Sequence, residues 1–484
     1  MNDRPIEITK EQEECVDYHD NEVMIVNGVA GTGKSIVLLY RALNYIKENE
    51  NNKYKRVIII TYNKSLVKAT KQKLLEKGDK RGYITVTTPN AFFEKICLAL
   101  NLDRNRICDE MTKLNYVRDA LCECIEEVGI SRLNSLSADF WDKEIRWMKE
   151  SNITTNDKVK YLELKRPGRG TDIEFTEEEK HEAFYIFCKY MSILRNQKMV
   201  DWEDLPLFIV RNPERIPDSF KFDHVLIDEA QDLSLAQMLA SMKIYKKDIV
   251  IASDFNQRLY LKQWSIDELG IKTDIKVLHS LMRTTKQIGI FAESFRKKNE
   301  DCIAEKEDMS NLGSNSNKVD LPVIAMLNSA KEEKEYVIRE VKAWLSESSN
   351  ITIGILASKT SQLDIYASWM TDAGIPKEII RRDGDFDITT PGVKIVTTHS
   401  AKGMEFSRVI IPQFNEGNFP YGYQPKLDEE KIKFLERERN RTYVAITRAR
   451  LNLTITCTKS KKSRFIDEID SDYYVLKDMT KLDE

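Results

Sequence analysis

The run Gly28-Val29-Ala30-Gly31-Thr32-Gly33-Lys34-Ser35 constrains this chain of 484 residues more than any other feature. It follows an apolar stretch, Val23 to Val26, and leads into a helical one. Glycines let a backbone wrap so that successive N–H groups face phosphate oxygens, and the start of a helix adds the positive end of its dipole. On this reading Gly28, Val29, Ala30, Gly31, Thr32 and Gly33 form a phosphate cradle. Lys34 reaches the β- and γ-phosphates, and Ser35 ligates Mg²⁺. A turn of this kind sits between a strand and a helix of a parallel sheet, which commits this part of the chain to an α/β fold.

The rest of the pattern extends that assignment. Strands are expected at Arg56 to Thr61 and Tyr83 to Thr87, then at His224 to Ile227 and Asp248 to Ala252. Four more follow, at Leu321 to Leu327, Ile351 to Ala357, Val393 to Thr397 and Arg408 to Pro412. Helical stretches alternate with them, which implies crossover units on parallel sheets. Between Lys95 and about Asn212 the spacing is helical throughout, with Phe184, Phe187, Cys188, Met191 and Leu194 on one face. The sheet pattern resumes afterwards, so this region reads as an insertion. A basic, glycine-rich loop inside it, Lys165 to Gly170, suits duplex phosphates or plain solvent equally.

Composition narrows the class. Hydrophobic residues make up 41% of the chain, enough for real cores, and the length suggests about three compact units. No uncharged apolar run approaches the roughly 18–20 residues that a membrane span needs. Met1 to Gln12 carries Asp3, Glu7 and Glu11 and no apolar core, so no secretory signal is expected. A cytoplasmic protein without membrane contact is expected. The eight cysteines form no C-x-x-C pair, and the five histidines add no clustered ligands. Reduced, buried thiols are expected instead of a zinc or iron–sulfur site. The net charge of −3 does not advertise nucleic-acid binding, so any such binding belongs to a local groove.

A second motif completes the phosphate chemistry. Val225-Leu226-Ile227-Asp228-Glu229 is an apolar strand ending in two carboxylates. Asp228 is the metal-side candidate, with Ser35, and Glu229 the candidate general base. With the P-loop, these motifs resemble the UvrD/Rep-like helicases of superfamily 1, a likeness that runs from about Ile8 to Thr456. Ile8 to Gln12 resembles the family's adenine-reading motif, with Gln12 the reader. Thr61-Tyr62-Asn63-Lys64 and Thr88-Pro89-Asn90-Ala91-Phe92 resemble two DNA-contact motifs, with Asn90 where the family has histidine. Ser253 to Tyr260 resembles the motif that senses the γ-phosphate through Gln257, with Ser253 in place of glycine. Leu281-Met282-Arg283-Thr284 resembles the fourth motif, Val396 to Phe406 the fifth and Tyr443 to Ala449 the sixth.

The resemblance implies two RecA-like P-loop motor domains with parallel sheets, plus a helical insertion in the first. The implied boundaries are 1–92 with 213–278, then 93–212 for the insertion and 279–484 for the second motor domain. ATP and Mg²⁺ are the implied cofactors. Lys34, Asp228, Glu229, Gln257, Arg283 and Arg448 are the implied catalytic residues, and Gly403 and Glu405 join the nucleotide site. Arg283 and Arg448 lie in the second half of the chain, so they approach the nucleotide only across an interdomain cleft. Asn63, Phe92, Tyr260, Thr398 and His399 are the implied contacts to single-stranded DNA. The family's tryptophan after the Tyr260 position is Lys262 here, with Trp264 two residues later. Its adenine-sandwiching arginine and tyrosine are Ile36 and Met282 here, which predicts weaker ATP affinity.

Three readings of activity remain open at this level. One is a 3′→5′ DNA translocase and helicase acting on single strands or a 3′-tailed duplex. Another is a DNA-stimulated ATPase that regulates a partner nuclease or another protein without unwinding. The third is a nucleotide switch that never binds DNA, with turnover indifferent to single strands. Relatives with four subdomains carry a large helical insertion between a Gly-Ile-Pro-like turn and the fifth motif. Here Gly374-Ile375-Pro376 is followed by Thr397 after about 20 residues, too few to bury a core of their own. Three subdomains are expected.

Overall fold

The computed structural model describes residues 8–18, 22–28, 31–47, 56–62, 64–164, 175–254, 264–271, 273, 275–279, 284–296, 321–381, 390–401, 403–422 and 428–479. The basic loop 165–170 lies outside them. After α1 (Lys10–Asp17), strand β1 (Val23–Gly28) leads through the glycine turn into α2 (Lys34–Lys47). Then come β2 (Val57–Thr61), α3 (Lys64–Lys77), β3 (Ile84–Thr87) and α4 (Pro89–Ala99). A helical stretch follows: α5 (Glu110–Val128), α6 (Ala138–Glu150), α7 (Lys158–Glu163), α8 (Glu177–Asn196) and α9 (Asp204–Arg211). The sheet resumes with β4 (Phe222–Asp228), α10 (Leu235–Ser241), β5 (Tyr245–Ser253), α11 (Ile266–Leu269) and β6 (Ile275–Leu278). All pairings are parallel, in the order β3-β2-β4-β5-β1-β6.

The alternation along these strands explains why they read as unbroken apolar runs. Ile58, Ile60, Val225, Ile227, Ile249 and Ile251 face one core. Val57, Ile59, Leu226, Val250 and Ala252 face the other. Both faces are covered by helices, as a parallel sheet requires.

The helical insertion has a core of its own, which gathers residues from Cys108 to Leu194 around Trp141, Tyr161 and Phe187. Its boundaries differ from the 93–212 expectation. Phe93 and Ile96 of α4 and Leu205 and Ile209 of α9 are buried on the sheet, because their apolar faces match its open side. The chain enters and leaves the insertion as a pair, with Cys108 N donating to Val200 O and Val200 N to Arg106 O, each at 2.8 Å. Below this junction lies a buried charge cluster. Lys149 Nζ meets Asp201 Oδ2 at 2.6 Å and Asp204 Oδ1 at 2.8 Å, and Tyr190 Oη donates to Asp201 Oδ2 at 2.8 Å. Lys113 pairs with Glu203 at 2.9 Å and Asp142 at 3.1 Å beside it.

The second half starts with α12 (Lys286–Arg296), β7 (Val323–Leu327), α13 (Ala330–Glu347), β8 (Thr352–Ala357) and α14 (Ser361–Asp372). It continues with β9 (Lys377–Ile380), β10 (Gly392–Thr397), β11 (Phe406–Ile411), α15 (Asp428–Ile446), β12 (Ala449–Thr458), α16 (Arg464–Asp467) and β13 (Val475–Asp478). Its sheet is also wholly parallel, in the order β13-β7-β12-β11-β8-β10-β9. The two sheets have the architecture of two RecA-like motor domains. Strand β9 ends at Ile380 and its neighbour β10 begins at Gly392, so the connection between them is short. Among the described residues no helix is long and apolar enough to cross a membrane.

Candidate nucleotide-hydrolysis site

The glycine turn is built by its backbone. Gly31 and Gly33 both have φ +88°, a region that side-chain-bearing residues avoid. A Cβ on Gly28 would fall 2.5 Å from Thr32 Oγ1, so the turn closes only on glycine. Lys34 is buried at the start of α2, and its Nζ donates to Gly28 O at 2.5 Å, folding the ammonium back over the turn. Val29 and Ala30 lie outside the described residues.

Gln12 braces this turn from behind. It closes a capping box on α1, with Thr9 N donating to its Oε1 at 3.0 Å, while its Nε2 donates to Thr32 O at 2.8 Å. The side chain is fully buried against Gly33, where a Cβ would lie 2.2 Å from Nε2. Ile36 lies next to it, as an aliphatic neighbour of the Gly33 position.

The acidic pair sits where β4 runs out. Asp228 is buried, and burial, reinforced by the Glu229 charge, pushes its carboxyl up to about 6 against the opposing pull of the Ser35 hydroxyl and Lys34. Glu229 occupies the left-handed region at φ 52°, ψ 42°, which turns its side chain away from the direction of the strand. A hydroxyl beside a carboxylate under a phosphate cradle is a donor set that suits Mg²⁺, whose remaining ligands are phosphate oxygens and water. No group of three or more His, Cys, Asp or Glu residues arranged for a metal occurs among the described residues.

The second half of the chain supplies the opposite wall. A cleft of about 400 Å³ is lined by Lys34, Ser35, Asp228 and Glu229 on one side. Gly403, Glu405 and Arg448 line the other. These residues of two sheets therefore line one cleft. Arg448 is buried and held by its own domain, donating from Nε to Val444 O at 2.9 Å and from Nη1 to Met404 O at 3.2 Å. The halves approach closely at Gly403, φ +76°, where a Cβ would lie 2.7 Å from Leu66 Cδ2 of α3. Arg450 and Lys73 also line the cleft. Neither was singled out from sequence, although Arg450 stands two positions from Arg448.

The expected DNA contacts divide. Asn63, Gln257, Tyr260 and Arg283 lie outside the described residues, as does Met282. His399 is exposed after the end of β10. Phe92 is corrected: it is 4% exposed, and its ring packs against Phe222 at 5.7 Å and Phe220 at 6.1 Å in the core, so it offers no face to a base. Thr398 is buried too, and its Oγ1 accepts from Arg441 Nε at 3.0 Å. Trp264 is likewise a core residue. Sequence reasoning missed Arg441, which also donates to Ser358 O and lies 5.2 Å from the centroid of the exposed Tyr421 ring. Its signal was faint: one more arginine just ahead of the sixth motif.

Residues 8–264 match the model of the UvrD/REP helicase N-terminal domain, and residues 380–460 match that of the UvrD-like helicase C-terminal domain. A probable DNA helicase of Mycoplasma pneumoniae is 21% identical over 485 residues, covering 94% of this chain and 85% of that one. A probable DNA helicase II homolog of Rickettsia conorii is 48% identical over 87 residues, 16% of this chain and 13% of its own. DNA helicase II of Escherichia coli K12 is 39% identical over 97 residues, 18% of this chain and 13% of its own. The matches to these last two span only a small part of their length.

Proposed function

The chain belongs to the UvrD/REP helicase family, and from that premise we propose an ATP-driven motor that moves 3′→5′ along single-stranded DNA and couples hydrolysis to strand separation. The observation that carries this reading is the single cleft holding Lys34, Ser35, Asp228 and Glu229 of one sheet opposite Arg448 of the other. On this reading the first motor unit is 1–92 with 213–278 together with the rest of α4 and with α9, which pack on its sheet, the insertion lies between those two helices and the second unit is 279–484.

Each residue then has a part. The glycine turn and the start of α2 bind the triphosphate of ATP, and Lys34 exchanges the Gly28 carbonyl for a phosphate oxygen. Ser35 and Asp228 hold Mg²⁺, which when bound neutralises phosphate charge and favours the ionised form of Asp228. Glu229 orients the attacking water and takes its proton. Arg448, together with Arg283 and the phosphate sensor Gln257, stabilises the charge that builds on the transferring phosphoryl group. Gln12 reads adenine beside the turn it braces. Gly403 and Glu405 bring the second unit's backbone and a carboxylate to the cleft. Because Arg448 sits on the far wall, bound ATP favours closure and hydrolysis releases it, which is the stroke. Asn63, Tyr260 and His399 grip the strand without reading sequence.

A second reading is favoured by the short β9–β10 connection. A motor without a helical domain at that point has little surface for duplex, and acts as a DNA-stimulated ATPase serving a partner nuclease or regulatory protein. A fluorescent strand-displacement assay on a 3′-tailed duplex, with ATP turnover measured in parallel, separates the two. Displacement by the protein alone supports the helicase. Stimulated turnover without displacement supports the regulatory ATPase, and turnover indifferent to single strands overturns both.

A further inference from the structure

Helix α1 carries Gln12 but is poorly equipped to hold itself in place. Its 8 residues are too few to persist as a helix alone in water. Its last turn has no basic residue to meet the unpaired carbonyls and the negative end of the dipole. Arg41 supplies both from another helix. It stands on α2, about two turns after Lys34, and is 3% exposed. Its Nη1 donates to Cys15 O at 2.9 Å, to Val16 O at 3.1 Å and to Tyr18 O at 2.6 Å.

The guanidinium is itself fixed at its other end. Nη2 donates to Tyr45 Oη at 2.6 Å, and Tyr45 Oη donates to Asp248 Oδ2 at 3.0 Å. The Tyr45 ring stacks on His224, with centroids 3.6 Å apart and planes within 8°, and His224 Nδ1 pairs with the same Asp248 oxygen at 2.9 Å. Tyr45 belongs to α2, His224 to β4 and Asp248 to β5. Through Arg41 the end of α1 is therefore anchored to the sheet.

The consequence falls on Gln12. Its amide lies between Thr9 N and Thr32 O, and these two bonds use one lone pair and one hydrogen of a group that has two of each. An amide presents a donor beside an acceptor, which suits the N7 and N6–H edge of adenine, whereas guanine offers two acceptors there, N7 and O6. Such paired bonds weaken steeply when the amide is turned. The bond to Thr32 O ties α1 to the phosphate turn near one end of the helix. Arg41 ties the other end, and does so from the helix that the phosphate turn itself opens.

We propose that Arg41 is a positioning residue for base recognition: it locks the helix that carries Gln12 to the helix that follows the phosphate turn, so that base and triphosphate are read in one register. This rests on the reading of Gln12 as the adenine reader. Arg41 touches neither base nor phosphate in this role and acts through the carbonyls that end α1.

The test uses the full chain, with turnover of ATP and GTP and binding of fluorescent analogues of both. Arg41→Lys keeps a cation but loses the fork that spans three carbonyls and Tyr45. Tyr45→Phe keeps the ring on His224 and removes only the hydroxyl that fixes Arg41. In Arg41→Lys the preference for ATP over GTP is expected to fall roughly three- to tenfold, as for the loss of one hydrogen bond to the base. The change is expected in KM and in affinity, with kcat at saturating ATP close to that of the parent protein. Tyr45→Phe should move the preference in the same direction by less, and decides by the same criterion where Arg41→Lys does not fold. On a Gln12→Ala background, Arg41→Lys should leave the preference where Gln12→Ala alone puts it, because the two residues act through one contact. An unchanged preference, even with a lowered melting temperature, overturns the proposal and makes Arg41 a structural brace. So does an equal loss of affinity for ATP and GTP, or a further fall on the Gln12→Ala background. If the parent protein does not prefer ATP over GTP, or Gln12→Ala retains that preference, the reading of Gln12 fails first and is recognised as such.

Discussion

Replacing Lys149 by methionine tests the junction between the insertion and the motor. The side chain of Lys149 is 0% exposed and that of Asp201 1% exposed, with N···O distances of 2.6 Å to Asp201 and 2.8 Å to Asp204. The ammonium also lies 5.1 Å from the centroid of the Tyr190 ring. Methionine conserves most of the volume, so the loss is electrostatic: two carboxylates are left in a dry site with Lys113 as the remaining nearby cation. Removing one partner of a buried ion pair costs about 3–5 kcal/mol. For a unit of this size that lowers the melting temperature by about 10 °C.

The pH dependence supplies a second readout. Burial pushes the Asp201 carboxyl up, but Lys149 and Lys113 more than offset it and hold it below the usual carboxylate range. Asp204 is pushed up to about 6 by burial and by the Asp201 charge. Without Lys149 both carboxyls rise above their unfolded values, so the folded variant binds more protons than the unfolded chain near neutral pH. Its stability then increases as pH falls from 7.5 towards 4.5, which narrows the gap to the parent protein. Urea titrations at both pH values measure this. Adding Asp201→Asn and Asp204→Asn to Lys149→Met should recover most of the loss. A cost below about 1 kcal/mol at pH 7.5, with the same pH slope as the parent, would refute the claim that this cluster is desolvated and structural.

Three further outcomes are expected. Glu229→Gln should keep binding a fluorescent ATP analogue while turnover falls by roughly 10²-fold or more, and near-parental turnover removes Glu229 as the base. Gln12→Ala should erase the preference for ATP over CTP and UTP, because Ile36 and Met282 provide no aromatic or cationic face for the base; a preserved preference in competition assays assigns the reading elsewhere. Phe92→Ala should cost about 3–5 kcal/mol in chemical denaturation while the folded fraction binds single strands with parental affinity, and a selective loss of binding restores Phe92 as a contact.

What could be read in advance follows from how local each signal is. The phosphate turn, the Asp228-Glu229 strand end and most sheet strands announce themselves within a few residues, because a strand buried on both faces is a continuous apolar run. Strand β12 escaped because its first half, Ala449-Arg450-Leu451-Asn452, is mixed and follows a motif that drew attention to its arginine. Strands β6, β9 and β13 are four residues each and lie at sheet edges, where half-exposed side chains blur the pattern. Phe92 could not be sorted from sequence, since stacking on a base and stacking on Phe222 ask for the same ring. Trp264 was equally opaque. The indole reaches a carbonyl 34 positions earlier in the chain, and nothing local records that contact.

The order of the first sheet also bears on how the chain is made. Strand β1 lies between β5 and β6, and both neighbours come more than two hundred residues after it. While the ribosome works through everything from the glycine turn to Lys243, Val23, Met24, Ile25 and Val26 have neither lateral partner. At roughly 5–20 residues per second that interval lasts on the order of tens of seconds. The phosphate cradle hangs from the end of this strand and meets its acidic partner only when β4 emerges. The nascent chain therefore carries a bare, strongly apolar ribbon while those two hundred residues are made, a natural client for a holding chaperone. The nucleotide site then assembles late, when the strands on either side of β4 have closed around it.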